Sequence, residues 1–231
     1  SDRALDLLCL GRAGVDLYAH QEGVALEAVE SFWKSVGGSA ANVATGAARL
    51  GLRTAMISVV SGDGFGRYVR DFLSNNGVDV RSVKVDASGA LNSLALTEVR
   101  PDNCKVIIYR RDAADLHLTP QDIDPHQVAS ARALLVTGTA LSASPSRDAS
   151  LYAMTLARTA GTSVVLDMDY RPYGWTNTAQ ASVYLQVACA MADVVIGNRE
   201  EFDVLDLQDS ASGAGAPRLL EGSTRIVLVK D

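Results

Sequence analysis

Six short apolar runs restrict what this chain can fold into. Four lie in its second half: "ALLVTG" (133–138), "SVVLDMD" (163–169), "DVVIGN" (193–198) and "RIVLVK" (225–230). Runs this short, rich in Val, Ile and Leu and without a strict apolar–polar alternation, read as strands buried on both faces. Between them, 145–160 and 177–191 have the spacing of helices. Such strands alternating with helices build a parallel sheet covered on both sides. "LDLLCLG" (5–11) and "TAMISVV" (54–60) supply two further strands.

Two segments break the rhythm. The stretch 91–111, "LNSLALTEVRPDNCKVIIYRR", reads as two strands joined by a turn at Arg100-Pro101-Asp102-Asn103. The stretch 17–36 contains no good helix and can supply companion strands. We therefore expect one α/β domain over 1–231, with a small β-lid contributed by about 12–36 and 91–111. "DSASGAGAP" (209–217) reads as a mobile loop.

Composition closes off some functions. A net charge of -6 argues against non-specific nucleic-acid binding, which needs a basic surface. No apolar run has the length of a membrane span, and no signal-peptide layout opens the chain. Cys9, Cys104 and Cys189 have no metal-like spacing and read as reduced core cysteines of a cytosolic protein. His20, His117 and His126 are scattered and are assigned to surface or loop positions. Trp33 is expected near the lid and Trp175 near the edge that carries the chemistry.

Ligands of open α/β sheets bind beyond the carboxyl ends of the strands. The polar residues following each run should share that edge: Arg12 and Asp16, Thr139, Asp169 and Arg171, then Asn198, Glu200 and Glu201. Acids, an Arg and an Asn gathered there suit a polyhydroxylated ligand, a metal, or both. Each also has a purely structural reading. Asp16 can end a strand, Arg171 can be a salt-bridge partner before Pro172, and Asn198 can cap a helix with Glu201 completing a capping box.

"VGGSAANVATGAARLGL" (36–52) places two glycines before an alanine-rich helix, with Ser39 as a reasonable N-cap. Gly37 and Gly38 let a ligand approach the backbone beside the helix N-terminus, or serve close packing alone. The stretch has neither the lysine-bearing P-loop pattern nor the dinucleotide glycine spacing. Asn42, whose amide both donates and accepts, suits hydroxyl groups better than phosphate. "GDGFG" (62–66) reads as a turn and a helix start.

"CLGRAGVDLYA", "VGGSAANVATGAARLGL", "SGDGFGRYVRDFL" and "GVDV", in this order and spacing, resemble the ribokinase-like (PfkB) family of sugar kinases over essentially the whole chain. "GRAGVDLYA", "YRRDAADLHLTPQDID", "ALLVTGTALS" and "LDMDYRPYGW" resemble its members that act on keto-deoxy sugar acids. The resemblance implies a three-layer sandwich with a mainly parallel central sheet and a β-lid. It implies ATP-dependent phosphorylation of a primary hydroxyl, with 5-dehydro-2-deoxy-D-gluconate as the expected substrate. The alternatives are 2-keto-3-deoxygluconate, or a non-catalytic sugar-acid-binding protein.

Residue by residue, the resemblance gives Asp16, Gly37, Gly38 and Asn42 to the sugar. Tyr109 and Arg111 match the lid-side segment, with Arg111 pairing the carboxylate, and Asp169 and Arg171 complete the substrate set. Asn198 would serve the phosphates and Glu201 a magnesium ion through water. Asp169 stands where many relatives have Asn. ATP, Mg2+ and a monovalent cation are the implied cofactors, and a homodimer through the lid the implied assembly. The family's catalytic Asp, in a Gly-Ala-Gly-Asp motif, has no match. "SGAGAP" (212–217) lacks the Asp, so the base is expected beyond Asp231 and these residues are expected to form an incomplete domain, inactive by themselves.

Overall fold

Each apolar run becomes a strand in the computed structural model, which describes residues 3–101, 104–206 and 215–230. In chain order, β1 (Leu5–Leu10) leads into β2 (Gly14–Ala19) and β3 (Phe32–Gly37), followed by α1 (Ser39–Arg49), β4 (Thr54–Val60) and α2 (Gly64–Asn75). Short strands β5 (Val78–Asp79) and β6 (Val83–Val85) precede β7 (Leu94–Thr97) and β8 (Val106–Tyr109). The second half alternates through α3 (Pro125–Ser130), β9 (Ala131–Thr137), α4 (Ser146–Ala160), β10 (Ser163–Asp167) and α5 (Thr178–Met191). It closes with β11 (Val194–Asn198), α6 (Arg199–Asp203), α7 (Gly215–Leu219) and β12 (Ile226–Lys230).

The large sheet has the order β12-β11-β10-β9-β1-β4-β5, with β6 beside β4. All its pairings are parallel. From β1 the chain builds outward through β4 and β5, then returns to place β9 on the other flank and continues to β12. The order therefore reverses between β1 and β9, and a crevice opens beyond their carboxyl ends.

The two faces of this sheet carry separate cores. Leu8, Leu10, Leu134, Val136 and Leu166 pack with Ala149, Ala153, Met154 and Ala157 of α4 and Leu185 of α5. On the other face Cys9 and Met56 meet Ala40, Ala41 and Ala44 of α1 and Val69 and Leu73 of α2. The small residues of α1 let it lie close to the strands that border the crevice. Asp63 caps α2, accepting from Phe65 and Gly66 N–H at 2.9 and 3.1 Å, as the turn-and-start reading of "GDGFG" requires. Among the described residues no helix is long and apolar enough to cross a membrane.

Three expectations are corrected. Gly38, not Ser39, is the N-cap of α1, because Ser39 already has helical geometry and directs its hydroxyl elsewhere. Cys9 and Cys189 are buried, but Cys104 is exposed, since it sits in the connection between the lid strands. Of the loop expected at 209–217, residues 209–214 lie outside the described residues, and 215–217 open α7.

The second sheet is the lid, ordered β3-β2-β7-β8. β7 and β8 pair antiparallel as the sequence suggests, although Asp102 and Asn103 of the expected turn lie outside the described residues. β2 pairs antiparallel with β3 and parallel with β7. The register aligns Ser35, Asp16, Ala95 and Ile108 in one row and Trp33, Tyr18, Thr97 and Val106 in the next. Both rows face the same side, because side chains two apart on a strand share a face. Tyr18 and Trp33 stack there with ring centroids 4.4 Å apart.

The chain leaving the lid is tied down by an imidazole. His117 Nδ1 lies 2.8 Å from Asp86 Oδ2, and its Nε2 lies 2.8 Å from Asp112 Oδ1. Both nitrogens can donate only when the ring is charged. The Asp112 contact raises the His117 pKa most, burial opposes it, and the Asp86 contact reinforces it. Asp86 is held at about 2: burial pushes it up, but the Ser88, Ala90 and His117 hydrogen bonds together outweigh that. A raised histidine pKa contributes stability that is full below the unfolded value of about 6.5 and lost as pH rises through the folded value. The difference in unfolding free energy between wild type and His117→Gln should therefore shrink as pH rises above about 6.5. Denaturant titrations at several pH values check this, and a difference that stays flat would show that the ring is not charged in the folded state.

Candidate active site

The crevice beyond β1 and β9 holds a cleft of about 400 Å³ beneath the inner face of the lid. Larger concavities exist, up to about 670 Å³ between the base of the lid and the start of α2, but apolar side chains dominate that one. The smaller cleft is the polar one. Its walls come from the β1–β2 turn, the inner lid rows, the start of α1 and the segments following β9 and β10, and Lys230 closes it.

Asp16, Gly38, Asn42, Asp169 and Arg171 all line this cleft, so strands distant in sequence bring five of the expected substrate residues together. Gly37 stands directly behind. A Cβ on Gly37 would collide with the Asp16 carboxylate. Gly38 has φ +105, and a Cβ there would collide with the Arg12 carbonyl. The glycine pair thus clears space for the β1–β2 turn and brings the start of α1 to the cleft.

The charges are arranged in pairs. Arg12 approaches Asp16 at 3.3 Å. Asp167 accepts from the Ser39 hydroxyl at 2.7 Å and meets Lys230 Nζ at 3.1 Å. Asp169 accepts from the Thr139 hydroxyl at 3.1 Å and pairs with Arg171 at 3.0 Å. Asp169 also has φ +34, a left-handed conformation that Asp and Asn tolerate better than most residues. Burial raises the pKa of Asp16 against the pull of Arg12. Burial likewise raises that of Asp169, with Arg171 opposing and Asp167 and Glu201 adding to the rise. Three acids and three bases leave the cleft close to neutral while its hydrogen-bonding capacity is dense.

Asn198 and Glu201 do not line the cleft; they form its support. Asn198 Oδ1 accepts from Glu201 N–H, and Glu201 Oε2 accepts from Asn198 N–H, each at 2.8 Å. This is the capping box that the sequence allowed. Glu201 Oε1 accepts from Tyr170 N–H at 3.2 Å, with Lys230 3.8 Å and Arg171 4.0 Å away. Each carboxylate oxygen already accepts a backbone hydrogen bond, which fits a magnesium contact through water. No trio of His, Cys, Asp or Glu gathers as metal ligands among the described residues.

Tyr109 and Arg111 are placed elsewhere. Tyr109 opposes Leu94 on the outer face of the lid and is 61% exposed. It and Arg111 border the apolar concavity by Phe65 and Leu91. Strand alternation is the reason: residues 106 and 108 face the cleft, so 109 and 111 face away. Arg110 falls on the inner side and is buried against Asp115. The sequence reading left Tyr18, Ser39, Asp167, Tyr173 and Lys230 without a role in the cleft. The lid pairing would have revealed Tyr18, and Asp167 and Lys230, polar residues within the apolar runs, were visible as such.

Comparison with known proteins places this geometry. The profile described as pfkB family carbohydrate kinase matches residues 4–230. A 5-dehydro-2-deoxygluconokinase of Photobacterium profundum is 46% identical, covering 99% of this chain and 70% of that protein. One from Shouchella clausii is 41% identical, covering 99% and 71%. Among solved structures, a PfkB protein from Polaromonas sp. JS666 superposes with a TM-score of 0.90 at 30% identity, covering 98% of this chain and 76% of that one. A fructokinase with bound ATP from Xylella fastidiosa gives a TM-score of 0.87 at 26% identity, covering 98% and 68%.

The two glycines should respond differently to alanine. Gly38→Ala combines a disfavoured φ with a backbone collision and should cost about 3 kcal/mol of stability. Gly37→Ala meets a side chain that can turn away, so it should weaken ligand binding more than it lowers the melting temperature. Thermal unfolding alongside ligand titration separates the two, and equal losses of stability would contradict the assignment.

Proposed function

We infer the activity from one premise: the chain belongs to the pfkB family of carbohydrate kinases. It is a sugar kinase, and ATP is its phosphoryl donor, as the ATP-bound structural neighbour supports. We propose that the acceptor is the primary hydroxyl of 5-dehydro-2-deoxygluconate, giving the 6-phosphate. The observation that carries this is the polar cleft under the lid, in which paired charges suit a hydroxylated ligand bearing one negative charge.

In this reading Asp16 accepts from sugar hydroxyls, and Asn42 both donates and accepts. The backbone at Gly37 and Gly38 positions the sugar at the start of α1. Asp169 and Arg171 border the sugar from the opposite wall, held by Thr139 and Glu201. Tyr18, stacked on Trp33, and the apolar Val106 and Ile108 line the lid side of the cleft above these polar groups. ATP supplies the γ-phosphoryl group, and transfer to an alcohol depends chiefly on position and charge stabilisation. Asn198 and Glu201 serve the phosphate side by fixing the start of α6, and any part of Glu201 in handling magnesium is exercised through water. We assign no step to a protein-bound metal. The lid-to-lid homodimer belongs to the same reading, supported by the exposed Ile107 and Tyr109.

The test is an ATP-coupled assay on the full-length protein, offering 5-dehydro-2-deoxygluconate, 2-keto-3-deoxygluconate and neutral hexoses. The expected outcome is turnover of the first with kcat/KM at least roughly tenfold above the second, and phosphorus NMR showing the phosphate on the primary oxygen. Preference for 2-keto-3-deoxygluconate would reassign the substrate. Turnover of neither acid would overturn the reading.

A further inference from the structure

Five cations line the cleft or the neighbouring concavity, and their partners distinguish them. Arg110 is saturated: its Nε and Nη2 reach Asp115 Oδ2 at 3.0 and 2.6 Å, Nη2 also donates to the Thr139 carbonyl at 2.9 Å, and Nη1 to Ser142 at 3.3 Å. Arg171 and Lys230 have side chains 49% and 48% exposed, and each already faces two carboxylates. Arg111, expected from the sequence to meet the sugar acid's carboxylate, lies on the outer side of the lid.

Arg12 differs from all of these. It lines the cleft, is only 8% exposed, and has two long contacts, to Asp16 at 3.3 Å and to Ser93 at 3.4 Å. A guanidinium has five donors in a planar fork that matches a carboxylate edge to edge. A buried cation with one long ion pair has more donors left for an anionic ligand than one saturated by partners, and more to gain than one open to water. Tyr173 also borders the cleft; burial raises its pKa and Asp169 adds to the rise, while the Arg12, Arg110 and Arg171 charges oppose it, so three guanidinium charges reach this end of the cleft.

We propose that Arg12 is the specificity-determining residue that receives the carboxylate of the sugar acid. One edge of its fork stays on Asp16 while the other takes the ligand. Asp16 is thereby held where it can accept from a hydroxyl of the same molecule, and the Arg12–Asp16 pair reads an acid and a hydroxyl together. This inference rests on the sugar-acid kinase reading above and narrows it.

The test compares a keto-deoxy sugar acid with the same sugar carrying a carboxamide in place of the carboxylate, as substrates of the full-length enzyme. Arg12→Gln should raise KM for the acid roughly 10- to 100-fold with a small change in kcat, and raise KM for the amide less than about threefold. Arg12→Lys keeps the charge but loses the fork, and should reduce the acid-over-amide preference by at least about threefold. That variant decides the matter if Arg12→Gln does not fold. Equal losses on acid and amide would make Arg12 merely structural, and an unchanged preference in Arg12→Lys or in Arg12→Gln would overturn the assignment. So would an Arg171→Gln enzyme that loses the preference while Arg12→Gln keeps it. If wild type prefers the acid and the Arg12 variants do not alter that, the inference alone falls. If wild type phosphorylates only neutral sugars, the sugar-acid reading falls and takes this inference with it.

Discussion

The passage of the Gly37–Gly38 backbone over the β1–β2 turn is the contact on which the rest of the site depends. Gly37 pairs with Gly14 across the lid, and a side chain on either would strike what the crossing must accommodate: Asp16 in one case, Ser93 in the other. Because that crossing is bare, one stretch of chain can finish a lid strand and begin a core helix within two residues. The lid is thus fixed to the sheet at the point where the strand order reverses, so its inner face overlies the crevice. A longer linker there would have left the two sheets free to move relative to each other.

Electrostatics follows from that placement. Three carboxylates brought to one partly buried edge would repel one another if left alone, and burial raises two of them. The structure answers with a cation for each: Arg12 for Asp16, Lys230 for Asp167 and Arg171 for Asp169. Partial burial makes these pairs poor evidence of net stability, because desolvation offsets much of the attraction. Their value lies in orientation. Each acid keeps oxygen lone pairs for ligand hydroxyls at a fixed angle, and the cleft stays neutral enough to accept an anion.

How much of this the sequence disclosed depends on whether a feature is local. Strands buried on both faces announce themselves as apolar runs, and six were found within about two residues of their ends. The lid hairpin was visible as two short strands around a Pro-Asp-Asn turn. The side of the lid that each residue faces was not visible, because a shift of one residue exchanges the faces and only cross-strand register fixes it. That is why Tyr109 and Arg111 were expected in the cleft when Ile108 occupies it and Arg110 is buried behind. Ser39 was misread for a related reason. Its hydroxyl is drawn to Asp167, a residue 128 positions away whose proximity no local rule contains. Asn198 and Glu201 show the converse, since their capping box is a four-residue pattern and was legible.

The arrangement separates what the fold needs from what the ligand needs. Tyr18, Thr97, Val106 and Ile108 face the cleft from the side of the lid turned away from the core that Val15 and Val36 join, so exchanging them disturbs little core packing. Gly38 admits no exchange, because the Arg12 backbone occupies the space, whereas a side chain on Gly37 would displace the Asp16 carboxylate that the ligand needs. Arg12 and Asp16 stand between these extremes. Arg12 lies on the turn that joins sheet to lid and Asp16 on the lid strand that follows it, and they carry the charges that a sugar acid would meet first. A change in the kind of anion recognised would therefore begin at the joint, where its effect on fold and on ligand can be separated only by comparing charged and uncharged forms of the same sugar.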